Sequence, residues 1–213
     1  MGGRSASPLL SRRGFGLGAF GTLSVSLLQR TALCAEDTKP RFVVPVRFCE
    51  AISVPTARLL AQRAEAERLY PMFQFQWPTE TEAIDTKFAK LDTRGDRDDL
   101  RKLLSARVVN VFFVESLRDV DDRALYRRGV HWRPAPNPGV RYIIVIRDAP
   151  DSVLAHELGH YFGLPHVATK NNLMSYDRDG GEVFLNDAQR STIASVAKGL
   201  LGRGELVPRT PPR

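Results

Sequence analysis

No run of residues in this chain is long and apolar enough to span a membrane. Cysteine is nearly absent: Cys34 and Cys49 are the whole supply, which rules out a framework stapled by several disulfides. Histidine is equally scarce, with four in 213 residues. No internal repeat is visible, so neither a solenoid nor a propeller is indicated. Charge of one sign is also lacking, despite a formal +7. Residues 1–35 hold Arg4, Arg12, Arg13 and Arg30 and no acid; removing these four from 31 basic residues leaves 27 against 24 acidic, a net of +3. That excess is too weak to attract a polyanion, and runs such as Arg94–Asp99 mix both signs, so no nucleic-acid partner is expected. What is present is the composition of an ordinary folded protein, 43% hydrophobic and 26% charged, in a length that fits one domain with small appendages.

The first appendage reads as an export signal. Arg12-Arg13 precede a weakly apolar stretch, Leu17–Leu28, and small residues follow up to Ala35. The paired arginines resemble the twin-arginine type, which carries folded proteins. Cutting after Ala35 gives three parts: a signal over 1–35, one catalytic domain over 36–201 and a flexible tail over 202–213. The mature chain is then expected to be periplasmic or secreted, without a transmembrane span, and monomeric. Cutting there also removes Cys34 and leaves Cys49 as a core thiol within an apolar alternation.

Within the mature chain, Phe42–Phe48 and Phe73–Trp77 have strand composition, with Pro45 suggesting an edge or a strand start. Between them Thr56–Tyr70 is helical, with Ala57, Leu60, Ala61, Ala64 and Leu69 expected on the apolar face. Thr79–Asp99 is polar and reads as surface loop with a short helix reaching Leu104. Val108–Val114 is β-branched and aromatic throughout and suits a central strand covered on both faces. The charged, proline-containing stretch Glu115–Gly139 is the place for an excursion or an edge strand, and Tyr142–Ile146 is the next strong strand. A helix capped by Asp151 or Ser152 follows and ends at Gly163 and Pro165; another spans Asp187–Leu200. The order implies an α/β or α+β layered fold with a mixed sheet.

Three of the four histidines fall in His156-Glu157-Leu158-Gly159-His160-Tyr161-Phe162-Gly163-Leu164-Pro165-His166, an intact HExxHxxGxxH. On a helix His156 and His160 project from one face a turn apart and can bind one ion together. A break at Gly163 can return His166 as a third ligand. Three neutral imidazoles suit Zn2+ with its fourth position open to water, the catalytic pattern; a structural site would close that position with another protein ligand. Glu157, next to the first ligand, is placed to act as general base on a water whose pKa the zinc lowers towards about 7. His131, the fourth histidine, reads as a surface or packed residue.

This segment resembles the signature of the metzincin clan of zinc metallopeptidases, and Asn172-Leu173-Met174-Ser175-Tyr176 resembles the clan's methionine turn. The strands Val111–Val114 and Tyr142–Ile146 and the helix motif look most like matrixin-type and pappalysin-type catalytic domains. The resemblance implies Met174 as an apolar floor beneath the zinc. It also implies Tyr176 as a group that reaches the metal or the oxyanion, by similarity to astacins and serralysins. It further places Tyr142–Ile146 near or at the sheet edge above the zinc, in reach of an extended peptide, with Val130-His131-Trp132 the other choice. Asp177–Glu182 has spaced oxygens that suit a calcium ion, although a solvated turn is the better reading because the full loop pattern is missing.

The expected activity is hydrolysis of peptide bonds in a peptide or protein substrate by a zinc endopeptidase. Two other readings keep the metal: an amidase acting on cell-wall peptide, and a non-catalytic zinc-binding module. Glu157 speaks against the last, since a structural site has no use for a carboxylate beside an open metal position.

Overall fold

The computed structural model describes residues 42–135, 137 and 139–210. The export signal read in residues 1–35 lies outside them. Among the described residues, no helix is long and apolar enough to cross a membrane.

The strands that the sequence marks most strongly form the middle of the sheet. Strand β5 (Val109–Val114) is buried at every residue, as a continuous apolar run requires when both sheet faces are covered. It lies between β1 (Phe42–Glu50) and β8 (Tyr142–Ile146), parallel to both. Outside these, β2 (Phe73–Gln76) pairs parallel with β1, and β7 (Gly129–Trp132) pairs antiparallel with β8. The order is β2-β1-β5-β8-β7, with the short β3 (Glu82–Ala83) also on β1. Two further short strands, β4 (Lys90–Leu91) and β6 (Ser116–Leu117), form a separate pair.

Alternation along the strands divides the core. Val46, Phe48, Val111, Phe113, Ile143 and Val145 face one side, where α1 (Thr56–Leu69), α3 (Ser152–Tyr161) and α4 (Asp187–Gly202) pack. Cys49, Phe112, Val114, Tyr142 and Ile144 face the other, against Leu91, Leu100 and Leu117. Leu100 follows α2 (Arg94–Asp99), whose start is capped reciprocally by Thr93 and Asp96. The protein is thus a mixed α/β sheet with helices on its faces, as the order of elements implies. Cys49 is fully buried, and desolvation pushes its thiol up to about 11.

Three expectations are corrected, and one choice is resolved. Strand β1 is not an edge: Pro45 is tolerated because the ladder to β2 ends at Pro45 and the ladder to β5 begins at Val46. Strand β8 lies next to the edge and not at it: β7 covers it, so of the two choices for the edge strand the sheet ends at the one that holds Val130-His131-Trp132. The buried stripe of α1 is Gln62, Ala66 and Leu69, while Leu60 is 55% exposed. Alanines carry little apolar surface, so their spacing pointed to the wrong face. Asp151 precedes α3 but makes no side-chain capping bond and instead lies 3.6 Å from Arg58.

The stretch read as a flexible tail is held down as far as Arg209. Leu206 is 1% exposed in the main core, Val207 N–H donates to the Arg107 carbonyl, and the Arg209 backbone exchanges two hydrogen bonds with the Gln76 amide.

Candidate metal centre

Helix α3 carries the first two histidines from the core outwards. Leu154, Ala155, Leu158 and Tyr161 bury one side, which turns His156 and His160 towards the opposite surface. Its last turn closes as a Schellman motif: Leu164 N–H donates to Gly159 O and Gly163 N–H to His160 O. Gly163 takes φ +91°, a conformation costly for any residue with a Cβ. The reversal returns His166 to the other two.

The three imidazoles converge. His166 Nε2 lies 2.9 Å from His160 Nε2 and 3.3 Å from His156 Nε2. His156 Nδ1 is 2.7 Å from the Leu173 carbonyl and His160 Nδ1 is 2.8 Å from the Leu164 carbonyl. A carbonyl only accepts, so both Nδ1 atoms carry the proton and both Nε2 lone pairs face the common centre. Lone pairs crowded in this way repel unless a cation lies between them. Donors on a tetrahedral zinc stand about 3.3 Å apart, so the donor set and its spacing fit such an ion. Burial lowers the basicity of all three rings and takes His156 down to about 4, which keeps them neutral and ligand-ready.

Glu157 leaves the helix one residue later and is 5% exposed. Burial pushes its carboxyl up to about 8, opposed by the His131 backbone N–H and by Arg127. The edge strand passes close by. A Cβ on Gly129 would stand 3.0 Å from Glu157 Oε1 and 2.6 Å from Val153 Cγ1, so glycine lets the β7 backbone approach the carboxylate.

Below the histidines lies the methionine turn. Met174 is fully buried, and a Cβ on Gly159 would fall 2.5 Å from its Sδ. The thioether therefore packs against α3 at Gly159, next to His160 in the chain. Ser175 N–H donates to Asn172 O, and Met174 N–H to Asn172 Oδ1. Tyr176 is 71% exposed, with its ring centroid 4.6 Å from that of His166.

Three supports were missed from the sequence. The buried Asn172 amide exchanges bonds of 2.8 and 2.9 Å with the Gln189 amide. Gln189 and Asn186 in turn form the capping box of α4; that spacing, polar residue then glutamine three places on, was visible before Asp187–Leu200 and could have flagged Gln189. The Tyr70 hydroxyl donates to the Ala155 carbonyl at 2.6 Å and ties α1 to α3. Asp119 and Arg127 pair at the mouth of the site, and no local sequence pattern marks them.

Other expected residues stand apart. His131 lies in β7, half-buried, its ring 5.7 Å from Tyr161 and its Nε2 without a partner among the described residues. In the segment weighed for calcium, Asp179 accepts from the Asn171 amide and Gly181 N–H, while Glu182 pairs with Arg68 at 2.8 Å. Among the described residues, the histidines form the convergent ligand set, and no carboxylate of Asp177–Glu182 joins it.

A cleft of about 550 Å³ runs from the histidines past His131 and Trp132, and a second of about 540 Å³ opens on the other side of Glu157 and Tyr176. Both are lined by Arg127, Gly129, His156, Glu157 and Tyr176.

No protein-family model matches the chain, and no curated protein matches it. Solved structures do. Archaemetzincin from Methanopyrus kandleri superposes with a TM-score of 0.54 at 14% identity, over 78% of this chain and 99% of that one. Metalloproteinase-II from Bacteroides fragilis gives 0.51 at 10% identity over 73% of this chain; the match spans 53%, about half, of its length. The chain therefore has the fold of solved metallopeptidase structures.

Proposed function

We propose that the chain is a zinc-dependent endopeptidase in which His156, His160 and His166 hold the metal and Glu157 is the general base. The observation that carries this reading is the set of inward-facing Nε2 atoms, two fixed by Nδ1–H bonds to backbone carbonyls, beside a buried carboxylate on an open cleft. The likeness in fold to two metallopeptidases supports it. When bound, zinc would lower the pKa of water towards neutrality and polarise the substrate carbonyl.

This chain's own residues would do the rest. Strand β7, the edge beside Glu157, is paired on one side only, and apart from the His131 N–H that faces Glu157 its outer backbone groups can take an extended peptide as a further strand, with side chains falling into the two clefts. Glu157, held near neutrality by burial, can accept the proton of the attacking water and return it to the leaving amine. Tyr176, beside His166 and exposed to the cleft, can donate its phenol hydrogen to the carbonyl oxygen as negative charge develops. Met174 and Gly159 keep the floor apolar and the ligand helix at fixed depth.

The test is hydrolysis of casein by the zinc-loaded chain and by Glu157→Gln, with metal content measured on both. Retained zinc with loss of at least about a hundredfold in rate is expected. Equal rates would remove Glu157 from its role, and a chain that binds zinc yet cleaves nothing would reduce the reading to a metal site.

A further inference from the structure

Resting on that peptidase reading, we propose that the cleft selects anionic peptides: Arg127 is the specificity-determining residue that receives substrate carboxylates, and Asp119 is the residue that positions it.

Arg127 stands at the junction of the two clefts, next to the edge strand and beside His156, Glu157 and Tyr176. Its side chain is 48% exposed, whereas that of Asp119 is 4% exposed. The Asp119 carboxylate is anchored by the backbone N–H groups of Asp121 and Asp122 at 2.7 and 3.0 Å, and its other oxygen accepts from Arg127 Nε. One edge of the guanidinium is thus fixed. Its two Nη atoms find no protein acceptor among the described residues, leaving the fork that matches a carboxylate free beside the reacting groups.

A second cation lines the same cleft. Arg97 is 2% exposed, its Nη2 donates to the Arg118 carbonyl, and its Nε is buried without a partner. Among the described residues no carboxylate makes ion-pair contact with it. Its guanidinium lies 4.7 Å from the Trp132 ring centroid, and Arg94 reaches the same ring at 5.8 Å. A buried guanidinium without a carboxylate is costly, and an anion in the cleft would offset that cost. The acids on this wall are already engaged, Asp119 with Arg127 and Asp121 with Arg94. Arg133 adds a further cation. A peptide extended along β7 with its scissile bond at Glu157 would bring a side chain to Trp132 and Arg97 about three residues, or roughly 10 Å, away.

The experiment uses quenched-fluorescent peptides identical except for Glu, Gln or Lys beside the scissile bond and three residues from it. The zinc-loaded chain should favour Glu over Gln by about tenfold or more in kcat/KM, chiefly through KM, and the ratio should shrink as salt rises. For the position beside the scissile bond, Arg127→Gln should collapse the ratio towards one, Arg127→Lys should keep part of it, and Asp119→Asn should give an intermediate value. Binding of labelled, uncleaved peptides to Glu157→Gln should follow the same order. Casein cleavage with equal rates on all three peptides, or with Lys preferred, overturns the proposal and leaves the peptidase reading standing. Failure to cleave casein or any peptide overturns the peptidase reading, and the binding series alone then decides whether the cleft prefers anions.

Discussion

Gly159 carries a constraint out of proportion to its size. Helix propensity alone favours Ala there by up to ~1 kcal/mol, but the added Cβ would meet Met174 Sδ at 2.5 Å, and overpacking of that kind costs about 1–3 kcal/mol. Gly159→Ala is therefore expected to lower the melting temperature and weaken zinc retention; a raised melting point would mean that Met174 yields without loss. Asp119 gives a pH-dependent counterpart. The backbone N–H groups of Asp122 and Asp121, with Arg127, hold its carboxyl down at about 2 from an ordinary 3.8. A lowered carboxylate pKa adds stability above its ordinary range and loses it as pH falls from about 4 towards 2. The advantage of the native chain over Asp119→Asn in urea should accordingly be present at pH 6 and shrink on acidification through that window. A gap that stays constant would contradict the assignment.

At the scale of elements, the methionine turn and α4 behave as one unit. The amides of Asn172 and Gln189 satisfy each other in a buried site, and Gln189 also completes the helix cap. Removing either side chain strands a buried donor and acceptor, at about 1–3 kcal/mol. The double substitution to Ala should cost less than the sum by about 1 kcal/mol or more, measured by urea unfolding of the four proteins. Strict additivity would show the turn to be independent of α4. This coupling also marks where sequence reading stops. Strands β5 and β8 were legible as unbroken β-branched and aromatic runs, and β1 and helices α1, α3 and α4 as long stretches of strand or helix composition between turn signals, although in α1 the spacing gave the element and not its buried face. The two-residue strands β3, β4 and β6 were not, since two residues have no period. The sequence leaves the edge position of β7 as only one of two choices, Val130-His131-Trp132 beside Tyr142–Ile146, because which strand the chain returns to is not encoded in composition. The histidines and Glu157 were legible because they share one helix and its turn. Arg127 and Asp119 fall in the charged stretch Glu115–Gly139, read only as an excursion or an edge strand, and only the path of the chain around the cleft brings them to Glu157.

For the whole molecule, the segment after α4 is tied to the core through Leu206, Val207 and Arg209. Ending it at Glu205 would remove Leu206, the Val207–Arg107 bond and the Arg209–Gln76 clasp beside β2. A loss of at least about 2 kcal/mol is expected from the leucine alone, visible as a lower urea midpoint at unchanged slope. An unchanged midpoint would show that the segment rests on the sheet without supporting it.

The span of the contacts also bears on how the molecule reaches this state. Arg47 of β1 meets Asn110 of β5 across 63 positions, and β5 must then find β8 beyond a further excursion, whereas the three histidines lie within ten positions of one another. Parallel pairing over such separations is slow, because loop closure must precede the contacts that reward it. An ion could thus be captured by the short histidine segment while the sheet is still unformed. Metal bound by the unfolded chain adds less to the folding equilibrium than its affinity for the finished site suggests. Its main effect would then be on the order of assembly, with the ligand turn closed first and the sheet built around it.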